Sequence, residues 1–306
     1  MDLFRGAMTA LITPMKDNGD VDYDGFRNLI RFQLSEGIDG LVPIGTTGET
    51  PTLDEAEEEV LIKIAVEEAK GKVPLIVGAG SNSTRHAVQY TRRAKDLGAD
   101  AALIVTPYYN KPNDSGLMRH FEEVAAVGLP VVVYNIAGRT GRNIPAAMMA
   151  RLAQIPNICA VKEASGDINQ MGDIIAAVNA PDGGKKTFPV LSGDDALTLP
   201  LIALGGAGVI SVVSNLFPAM VKKMTAFALE GNFTQARSLH YQLLPFTKAA
   251  FIETNPVPIK RAMALAGLPA GPTRLPLGAL APENEKILAA CLAKLKPDYR
   301  AGGTSK

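Results

Sequence analysis

A lysine that closes a short apolar run is the residue of this sequence with the clearest capacity for chemistry. Lys162 follows the run Ile-Cys-Ala-Val at 158–161. An amine kept dry at the end of a buried strand loses its proton more easily, and a neutral amine can attack a carbonyl carbon to form a Schiff base. Most lysines extend their ammonium group into solvent, so Lys162 alone favours that ordinary role. The surrounding residues must decide between the two roles.

Groups of suitable chemistry follow other apolar runs. The GTTGE loop (45–49) combines two hydroxyls with a tight turn whose N–H groups can bind a carboxylate or phosphate, although an ordinary turn explains it equally well. A tyrosine pair (108–109) follows another run, Tyr134 ends a third and precedes Arg139, and Ser-Gly-Asp-Asp (192–195) follows a fourth. Any one of these can be structural. Together they supply an amine, phenols, hydroxyls and a carboxylate clamp, which are the parts of an imine-forming aldolase.

The apolar runs alternate with longer amphipathic segments, which predicts parallel strands joined by helices. Eight such units fit a (β/α)₈ barrel of the α/β class, with a doubly wound sheet as the alternative. In a barrel, the residues above lie on the rim formed by the C-terminal strand ends, where barrel enzymes have their sites. The predicted strands are 7–12, 40–44, 74–78, 101–105, 130–134, 158–162, 190–192 and 208–212, and the helices between them 23–36, 54–70, 83–97, 115–127, 145–154, 167–178 and 195–204.

The last part of the chain has a different pattern. After an eighth helix near 215–230, only helices are predicted, at 233–250, 256–266 and 282–295. We therefore divide the chain into a catalytic barrel, 1–231, and a C-terminal three-helix region, 232–306. The uncharged stretch 196–221 is long enough to span a membrane, but Pro200 and its glycines split it into a buried helix, a turn and a buried strand.

Composition excludes several classes of function. Lys+Arg 31 against Asp+Glu 31 leaves no excess charge for nucleic acid or a membrane surface. The N-terminus does not resemble a secretory signal, and Cys159 and Cys291 are predicted to be reduced, buried thiols, so we expect a cytoplasmic protein. The three histidines lack metal-ligand spacing, and Asp194-Asp195 is predicted to be a helix N-cap with its neighbour rather than a metal pair. No Rossmann fingerprint or P-loop occurs.

Taken in order, the motifs resemble those of the dihydrodipicolinate synthase / N-acetylneuraminate lyase superfamily of class I aldolases, and within it most closely the dihydrodipicolinate synthases. The similarity covers about residues 4 to 296 and is carried by GTTGE, TPYYN, YN-x₃-RTG, VKEASGD, LSGDD and GVISV. It implies a (β/α)₈ TIM barrel with three C-terminal helices. It also implies the condensation of pyruvate with L-aspartate-4-semialdehyde to 4-hydroxy-tetrahydrodipicolinate in lysine biosynthesis, by the diaminopimelate route. A homotetramer (a dimer of dimers) is implied, with no cofactor beyond a covalent lysine–pyruvate imine.

The resemblance also implies a role for each matching residue. Lys162 forms the imine with pyruvate, and Tyr134 donates and accepts protons there. Thr46 links Tyr134 to Tyr109 in a proton relay, with Tyr109 inserted into the site of a neighbouring subunit. Further substrate contacts are implied for Thr47 with the pyruvate carboxylate, Arg139 with the carboxylate of the second substrate, Gly193 along the wall, and Ile210 through its backbone carbonyl.

Two other functions compete with the synthase. A retro-aldol lyase or dehydratase acting on a 2-keto sugar acid, of the N-acetylneuraminate or 2-keto-3-deoxygluconate type, uses the same lysine imine. The sister lyases usually lack an arginine at the place of Arg139, so this residue favours the synthase. A non-catalytic barrel that binds a keto acid is disfavoured, because Lys162, Tyr134, Thr46 and Tyr109 are all present.

A possible lysine-effector region is also implied by the resemblance. Lysine-inhibited members bind lysine at a subunit interface through an asparagine and a glutamate at the places of Asn82 and His86, and they often carry histidines at the places of Glu55 and Glu58. Without a carboxylate at position 86, the ammonium group of lysine loses a partner. We therefore expect weak or absent feedback inhibition by lysine.

Overall fold

The computed structural model describes residues 3–179 and 188–295, which contain a barrel of eight parallel strands. The strands are β1 (Gly6–Ala10), β2 (Gly40–Val42), β3 (Ile76–Gly78), β4 (Ala101–Val105), β5 (Val131–Asn135), β6 (Ile158–Glu163), β7 (Val190–Ser192) and β8 (Gly208–Ser211). Their order is β2-β1-β8-β7-β6-β5-β4-β3, and a parallel bridge between Leu41 and Leu75 joins the two outer strands into a barrel. The predicted (β/α)₈ fold is confirmed.

Helices surround the barrel and continue beyond it. Those of the barrel layer are α1 (Tyr23–Ser35), α2 (Glu55–Ala69), α3 (Thr84–Leu97), α4 (Asp114–Ala125), α5 (Ala137–Thr140), α6 (Ala146–Leu152), α7 (Ile168–Val178), α8 (Thr198–Ala203) and α9 (Pro218–Leu229). The C-terminal helices are α10 (Phe233–Ala249), α11 (Val257–Leu265) and α12 (Pro282–Leu295).

The strands bury side chains on both faces, as parallel strands between two layers must. One apolar cluster fills the barrel interior and includes Met8, Leu103, Val132, Ala160 and Ile210. A second cluster lies between the strands and the helices. Because strand side chains alternate between faces, the interior positions of β5 and β6 lead directly to Tyr134 and Lys162 at the rim.

The predicted strand boundaries lie within two residues of the observed ones. Three local predictions were wrong. The segment 195–204 is not one helix, because Pro200 has no N–H and fits only in the first turn of α8, so a separate 3₁₀ turn covers Asp195–Leu197. The segment 52–55 has the sequence pattern of a capping box for α2, but the observed box consists of Asp54 and Glu57, because Thr52 ends a preceding 3₁₀ turn. The thiols Cys159 and Cys291 are free but only half-buried.

The uncharged stretch 196–221 divides as predicted into α8, a turn around Gly205 and Gly206, and β8. Within residues 3–179 and 188–295, none of the helices combines the length and the apolar character that crossing a bilayer demands.

The C-terminal helices pack onto the same core as the barrel. Leu243, Phe246, Ile259 and Leu288 belong to the cluster that fills the space between strands and helices. The division of the chain at 231/232 stays a prediction, and its second part ends in residues outside the described ranges. This shared core matters for the site, because residues of the C-terminal region reach one of the rim loops.

Candidate active site

Lys162 and Tyr134 lie side by side at the C-terminal rim of the barrel. They are paired in register on the neighbouring strands β6 and β5. The Nζ atom of Lys162 lies 4.3 Å from the centroid of the Tyr134 ring, and both side chains are buried. Adjacent parallel strands thus place an amine and a phenol close enough to act on one small molecule.

Burial makes Lys162 a better nucleophile than an ordinary lysine. The side chain is 5% exposed. Desolvation lowers its pKa to about 8, with a further lowering by the positive charge of Arg139, while the charge of Asp195 opposes the shift. Desolvation disfavours the charged form, so about a tenth of the amine is neutral at pH 7, far more than in an ordinary lysine.

Tyr134 is held in its protonated form. Desolvation raises its pKa to about 12, and the charge of Arg139 and a hydrogen bond with Thr46 oppose this rise. The phenol is therefore a proton donor at neutral pH, and Thr46, its hydrogen-bond partner, can exchange a proton with it.

The GTTGE loop follows β2 and forms a 3₁₀ turn, Thr46–Gly48. The N–H groups of Gly48 and Glu49 bond to Gly45 O and Thr46 O within the turn. The N–H groups that begin such a turn have no partner inside it, so those of Thr46 and Thr47 are available to an anion. The turn has the construction that the sequence predicted for a carboxylate nest.

Asn255, in the loop before α11, touches this nest and the neighbouring arginine. Its Nδ2 donates to the buried hydroxyl of Thr47 at 2.9 Å. Its backbone carbonyl accepts from Nη2 of Arg139 at 3.0 Å. Sequence reasoning missed Asn255, because nothing local to an Asn-Pro pair indicates a contact with a loop more than 200 residues earlier.

Gly193 lies close to the lysine, whereas Ile210 is placed in the barrel interior. A Cβ atom on Gly193 would lie 3.0 Å from Lys162 Cε and 2.6 Å from Ala164 Cβ, so only glycine leaves the lysine its room. Ile210 is fully buried on β8, with its side chain in the cluster of the barrel interior. The role of its carbonyl group stays a prediction.

A cavity of about 480 Å³ opens beside Tyr134, the neighbour of the lysine on β5. Thr46, Tyr134 and Arg139 line one part of it. Another part is lined by Tyr108 and by all four residues of the predicted effector region, Glu55, Glu58, Asn82 and His86. Two residues of the predicted relay, Thr46 and Tyr134, and all of the predicted effector region therefore line one cavity within a single chain.

The effector region is more acidic than basic. Burial raises the pKa of Glu58, and the nearby guanidinium of Arg93, which forms an ion pair with it, opposes the rise. Glu55 is largely exposed, 3.8 Å from Arg93. His86 contacts Tyr90, with ring centroids 6.0 Å apart. Arg93 therefore already neutralises part of the negative charge that could attract an ammonium group.

Tyr109 is the one predicted catalytic residue that a single chain does not bring to the relay. Its side chain is 90% exposed, its backbone has a left-handed φ of 73°, and it is absent from the cavity wall that contains Tyr108. An exposed aromatic ring on a constrained backbone is suited to contact another molecule.

Asp195 is a second residue whose place differs from the prediction. Asp194 alone caps the 3₁₀ turn, by accepting from Ala196 N at 2.8 Å. Asp195 is buried and binds the end of β8, accepting from the hydroxyl of Ser211 and from Val212 N. Burial raises its pKa to about 6, and its charge acts on Lys162. The sequence does contain one indication that Asp195 is more than a cap. It is a second acid beside the capping acid, directly before an uncharged stretch.

In the part of the chain that the structure describes, no group of three or more His, Cys, Asp or Glu side chains is arranged to hold a metal ion. The groups that converge at the rim are an amine, a phenol, a hydroxyl and a guanidinium. They can carry out covalent and acid–base chemistry on a carbonyl compound with a carboxylate group.

Comparison with known proteins gives a consistent result. The model of the Dihydrodipicolinate synthetase family matches residues 3–295. A 4-hydroxy-tetrahydrodipicolinate synthase of Protochlamydia amoebophila is 51% identical, covering 98% of this chain and 99% of its own. A chloride-inhibited dihydrodipicolinate synthase of Acinetobacter baumannii, solved with pyruvate, is 38% identical with a TM-score of 0.92, covering 96% and 99%. A dihydrodipicolinate synthase variant described as monomeric is 40% identical with a TM-score of 0.93, covering 96% and 98%.

Proposed function

Because the chain belongs to the dihydrodipicolinate synthetase family, we propose that it condenses pyruvate with L-aspartate-4-semialdehyde to give 4-hydroxy-tetrahydrodipicolinate. The observation that carries the proposal is the buried amine of Lys162, with its pKa lowered to about 8 and its Nζ 4.3 Å from the ring centroid of Tyr134. A dry amine beside a protonated phenol suits imine formation from a keto acid. The reaction serves lysine biosynthesis through diaminopimelate.

Lys162 and Tyr134 supply the amine and the proton for this condensation. The neutral amine adds to the C2 carbonyl of pyruvate, and the adduct loses water when Tyr134 protonates the leaving hydroxyl. Loss of a proton from the methyl carbon gives an enamine, which attacks the aldehyde carbon of the second substrate and forms the new C–C bond. The amino group of that substrate then displaces Lys162 from C2. The ring closes, the lysine is free again, and one water has been released.

Each of the two substrates is bound through its carboxylate, by a different group. The hydroxyl of Thr47 and the free N–H groups of the 46–47 turn hold the pyruvate carboxylate. Arg139, kept in place by the carbonyl of Asn255, binds the carboxylate of the aldehyde substrate through its planar guanidinium. Gly193 and the carbonyl of Ile210 line the site. The imine forms on the protein itself, so the reaction uses no separate cofactor.

The proposal includes an assembly, a homotetramer built as a dimer of dimers. In it, Tyr109 of one chain completes the relay of Tyr134 and Thr46 in another. Its 90% exposure in the isolated chain supports this arrangement. The two free thiols and the use of pyruvate support a cytoplasmic location.

Borohydride trapping of pyruvate tests the nucleophile. Wild type treated with pyruvate and borohydride should gain the mass of one reduced pyruvyl group per chain, and peptide mapping should locate it on Lys162. Lys162→Ala should gain none. An adduct of equal yield on Lys162→Ala would show that another amine is the nucleophile.

A substrate panel tests the second substrate. Turnover should occur with aspartate semialdehyde and not with N-acetylneuraminate or 2-keto-3-deoxygluconate. Arg139→Ala should lose turnover of aspartate semialdehyde while still trapping pyruvate on Lys162, because the guanidinium binds only the second substrate. Efficient cleavage of a 2-keto sugar acid by wild type would favour the retro-aldol alternative instead.

We also propose that lysine inhibits this enzyme weakly or not at all. His86 stands where an acid would bind the ammonium group, and Glu58 is already paired with Arg93. A coupled assay should show no submillimolar inhibition by L-lysine. His86→Glu, which supplies the missing carboxylate, should increase the sensitivity. Submillimolar inhibition of wild type would contradict the proposal.

A further inference from the structure

A fully buried ion pair joins the C-terminal region to the GTTGE loop. Nζ of Lys260, on α11, lies 2.5 Å from Oε1 of Glu49, and the two side chains are 2% and 0% exposed. The ammonium group also donates to Thr13 O at 3.0 Å and Pro272 O at 2.7 Å. Three acceptors satisfy all three ammonium protons, which is the arrangement that makes a buried charge tolerable.

Glu49 is the residue that ends the loop, and its backbone is in the left-handed region, with φ of 58°. This conformation is costly for a residue with a Cβ atom and persists only when the surroundings enforce it. Its N–H bonds to Thr46 O at 3.1 Å, which closes the turn, and its Oε2 accepts from Arg274 N at 2.9 Å. The C-terminal region therefore holds both carboxylate oxygens of Glu49.

The other end of the loop is constrained as well. Ile44 has a left-handed φ of 58°, which is strongly disfavoured for a β-branched residue. Its carbonyl lies against Gly78, where a Cβ atom would be only 1.8 Å from the Ile44 oxygen. Strained residues bracket the 46–47 turn on both sides, and only the Glu49 side is held by a charge.

We propose that Lys260 is a positioning residue for catalysis: through Glu49 it holds the 46–47 turn so that Thr46 and Thr47 meet the relay and the pyruvate carboxylate. The inference rests on the proposed function, in which that turn binds pyruvate. A helix outside the barrel thereby controls the affinity for the first substrate. The aldehyde substrate depends on Arg139, whose guanidinium bonds to the backbone carbonyl of Asn255 rather than to Glu49 or Lys260.

Lys260→Met tests the role with a side chain of similar length and no charge. It should raise the pyruvate KM by about tenfold and slow borohydride trapping on Lys162, while the aldehyde KM changes by less than about twofold. Hydrogen exchange of the 44–50 backbone amides should become faster. Lys222→Met is the matched control, because Lys222 also binds a backbone carbonyl, that of Gly37, and a carboxylate, that of Asp39, but on the α9 side away from the rim. Lys222→Met should leave the pyruvate KM, the rate of borohydride trapping and the hydrogen exchange of the 44–50 amides unchanged.

Glu49→Gln provides a second variant in case Lys260→Met does not fold. Glutamine keeps an acceptor for Arg274 N and removes the charge that attracts Lys260. It should raise the pyruvate KM by about threefold and also loosen the 44–50 amides. An unchanged pyruvate KM and unchanged exchange in either folded variant would overturn the inference. Failure of wild type to trap pyruvate at all would instead refute the proposed function, and the exchange result would still test the positioning of the loop.

Discussion

At the scale of single residues, burial shifts both Lys162 and Tyr134 towards their neutral forms. It lowers the pKa of the amine to about 8 and raises that of the phenol to about 12. One group can therefore attack while the other still has a proton to give. Asp195 limits the effect on the lysine, because its negative charge favours the ammonium form.

Asp195→Asn should move the pH dependence of imine formation to lower pH. The rate of borohydride trapping rises with pH as the Lys162 amine becomes neutral, with a midpoint near its pKa of about 8. Asp195, with a pKa of about 6, is ionised there, and removing its charge lowers the pKa of the lysine. We expect the midpoint to fall by about half a unit to one unit.

Asp194→Asn is the control for this measurement. Asp194 is the capping neighbour, and asparagine caps a helical turn as well as aspartate does. For Asp194→Asn, the pH midpoint of borohydride trapping should stay at the wild-type value. If the Asp195→Asn midpoint stays in place or rises, Asp195 does not act on the lysine by its charge.

Sequence reasoning placed Lys162, Tyr134, Thr46 and Arg139 at one rim, and the structure brings them around one cavity or beside it. It succeeded because each lies near the end of a strand or in the segment that follows one, β2, β5 or β6, so the barrel alone positions them. Asp195 was assigned to a cap, because its partners Ser211 and Val212 lie on a strand whose pairing no local pattern reveals.

At the scale of elements, the site depends on how closely the loop after β7 packs against the end of β6. Gly193 follows β7 and donates its N–H to Glu163 O at 2.7 Å, which draws that loop against the end of β6. This approach leaves no room for a side chain beside the lysine. The periodicity of the sequence predicts the strands but contains no information about such clearances.

Gly193→Ala should impair catalysis more than folding. The new methyl group would lie 3.0 Å from Lys162 Cε, so the lysine must move away from Tyr134. We expect kcat to fall by about a hundredfold, since misplacing a reacting group by about 1 Å has effects of this size. Steady-state kinetics and the thermal unfolding midpoint measure the two effects.

Gly138→Ala is the matched control, in α5 at the same rim. A Cβ atom there meets nothing within 4 Å, and alanine in a helix stabilises by about 0.5–1 kcal/mol relative to glycine. It should keep kcat and not lower the unfolding midpoint. Equal kcat values for the two alanine variants would show that crowding at Gly193 does not displace Lys162.

At the scale of the whole molecule, one chain does not bring the three residues of the proposed relay together. Tyr109 projects into solvent, whereas Tyr134 and Thr46 lie in the cavity. The sequence alone could not locate Tyr109, because an exposed tyrosine and an inserted one have the same local pattern. Local sequence patterns also could not identify Asn255 and Lys260 as neighbours of the GTTGE loop. Their partners there, Thr47 and Glu49, lie 208 and 211 residues earlier in the chain.

Mixing two inactive variants should restore activity if Tyr109 acts on a neighbouring chain. Tyr109→Phe lacks the relay hydroxyl and Lys162→Ala lacks the nucleophile. In a mixed assembly, a Tyr109→Phe chain receives an intact tyrosine from a Lys162→Ala partner. Random mixing in equal amounts should give about a quarter of the wild-type rate per chain, because about one site in four is complete.

Each variant refolded alone is the control and should stay inactive. The same mixture in which subunits cannot exchange should also stay inactive. No recovery in assemblies shown to contain both variants would place Tyr109 in the site of its own chain or outside the reaction.

The ties between the GTTGE loop and the C-terminal region have a consequence during protein synthesis. All eight strands and Lys162 leave the ribosome before Asn255, Lys260 and Arg274 do, because these residues follow β8 in the chain. Domains begin to fold as they emerge, so a nascent barrel can contain Lys162 while the GTTGE loop still lacks its contacts with the C-terminal region. We therefore expect a chain that stalls before α11 to have the barrel and the amine but a GTTGE loop without the ion pair that fixes Glu49.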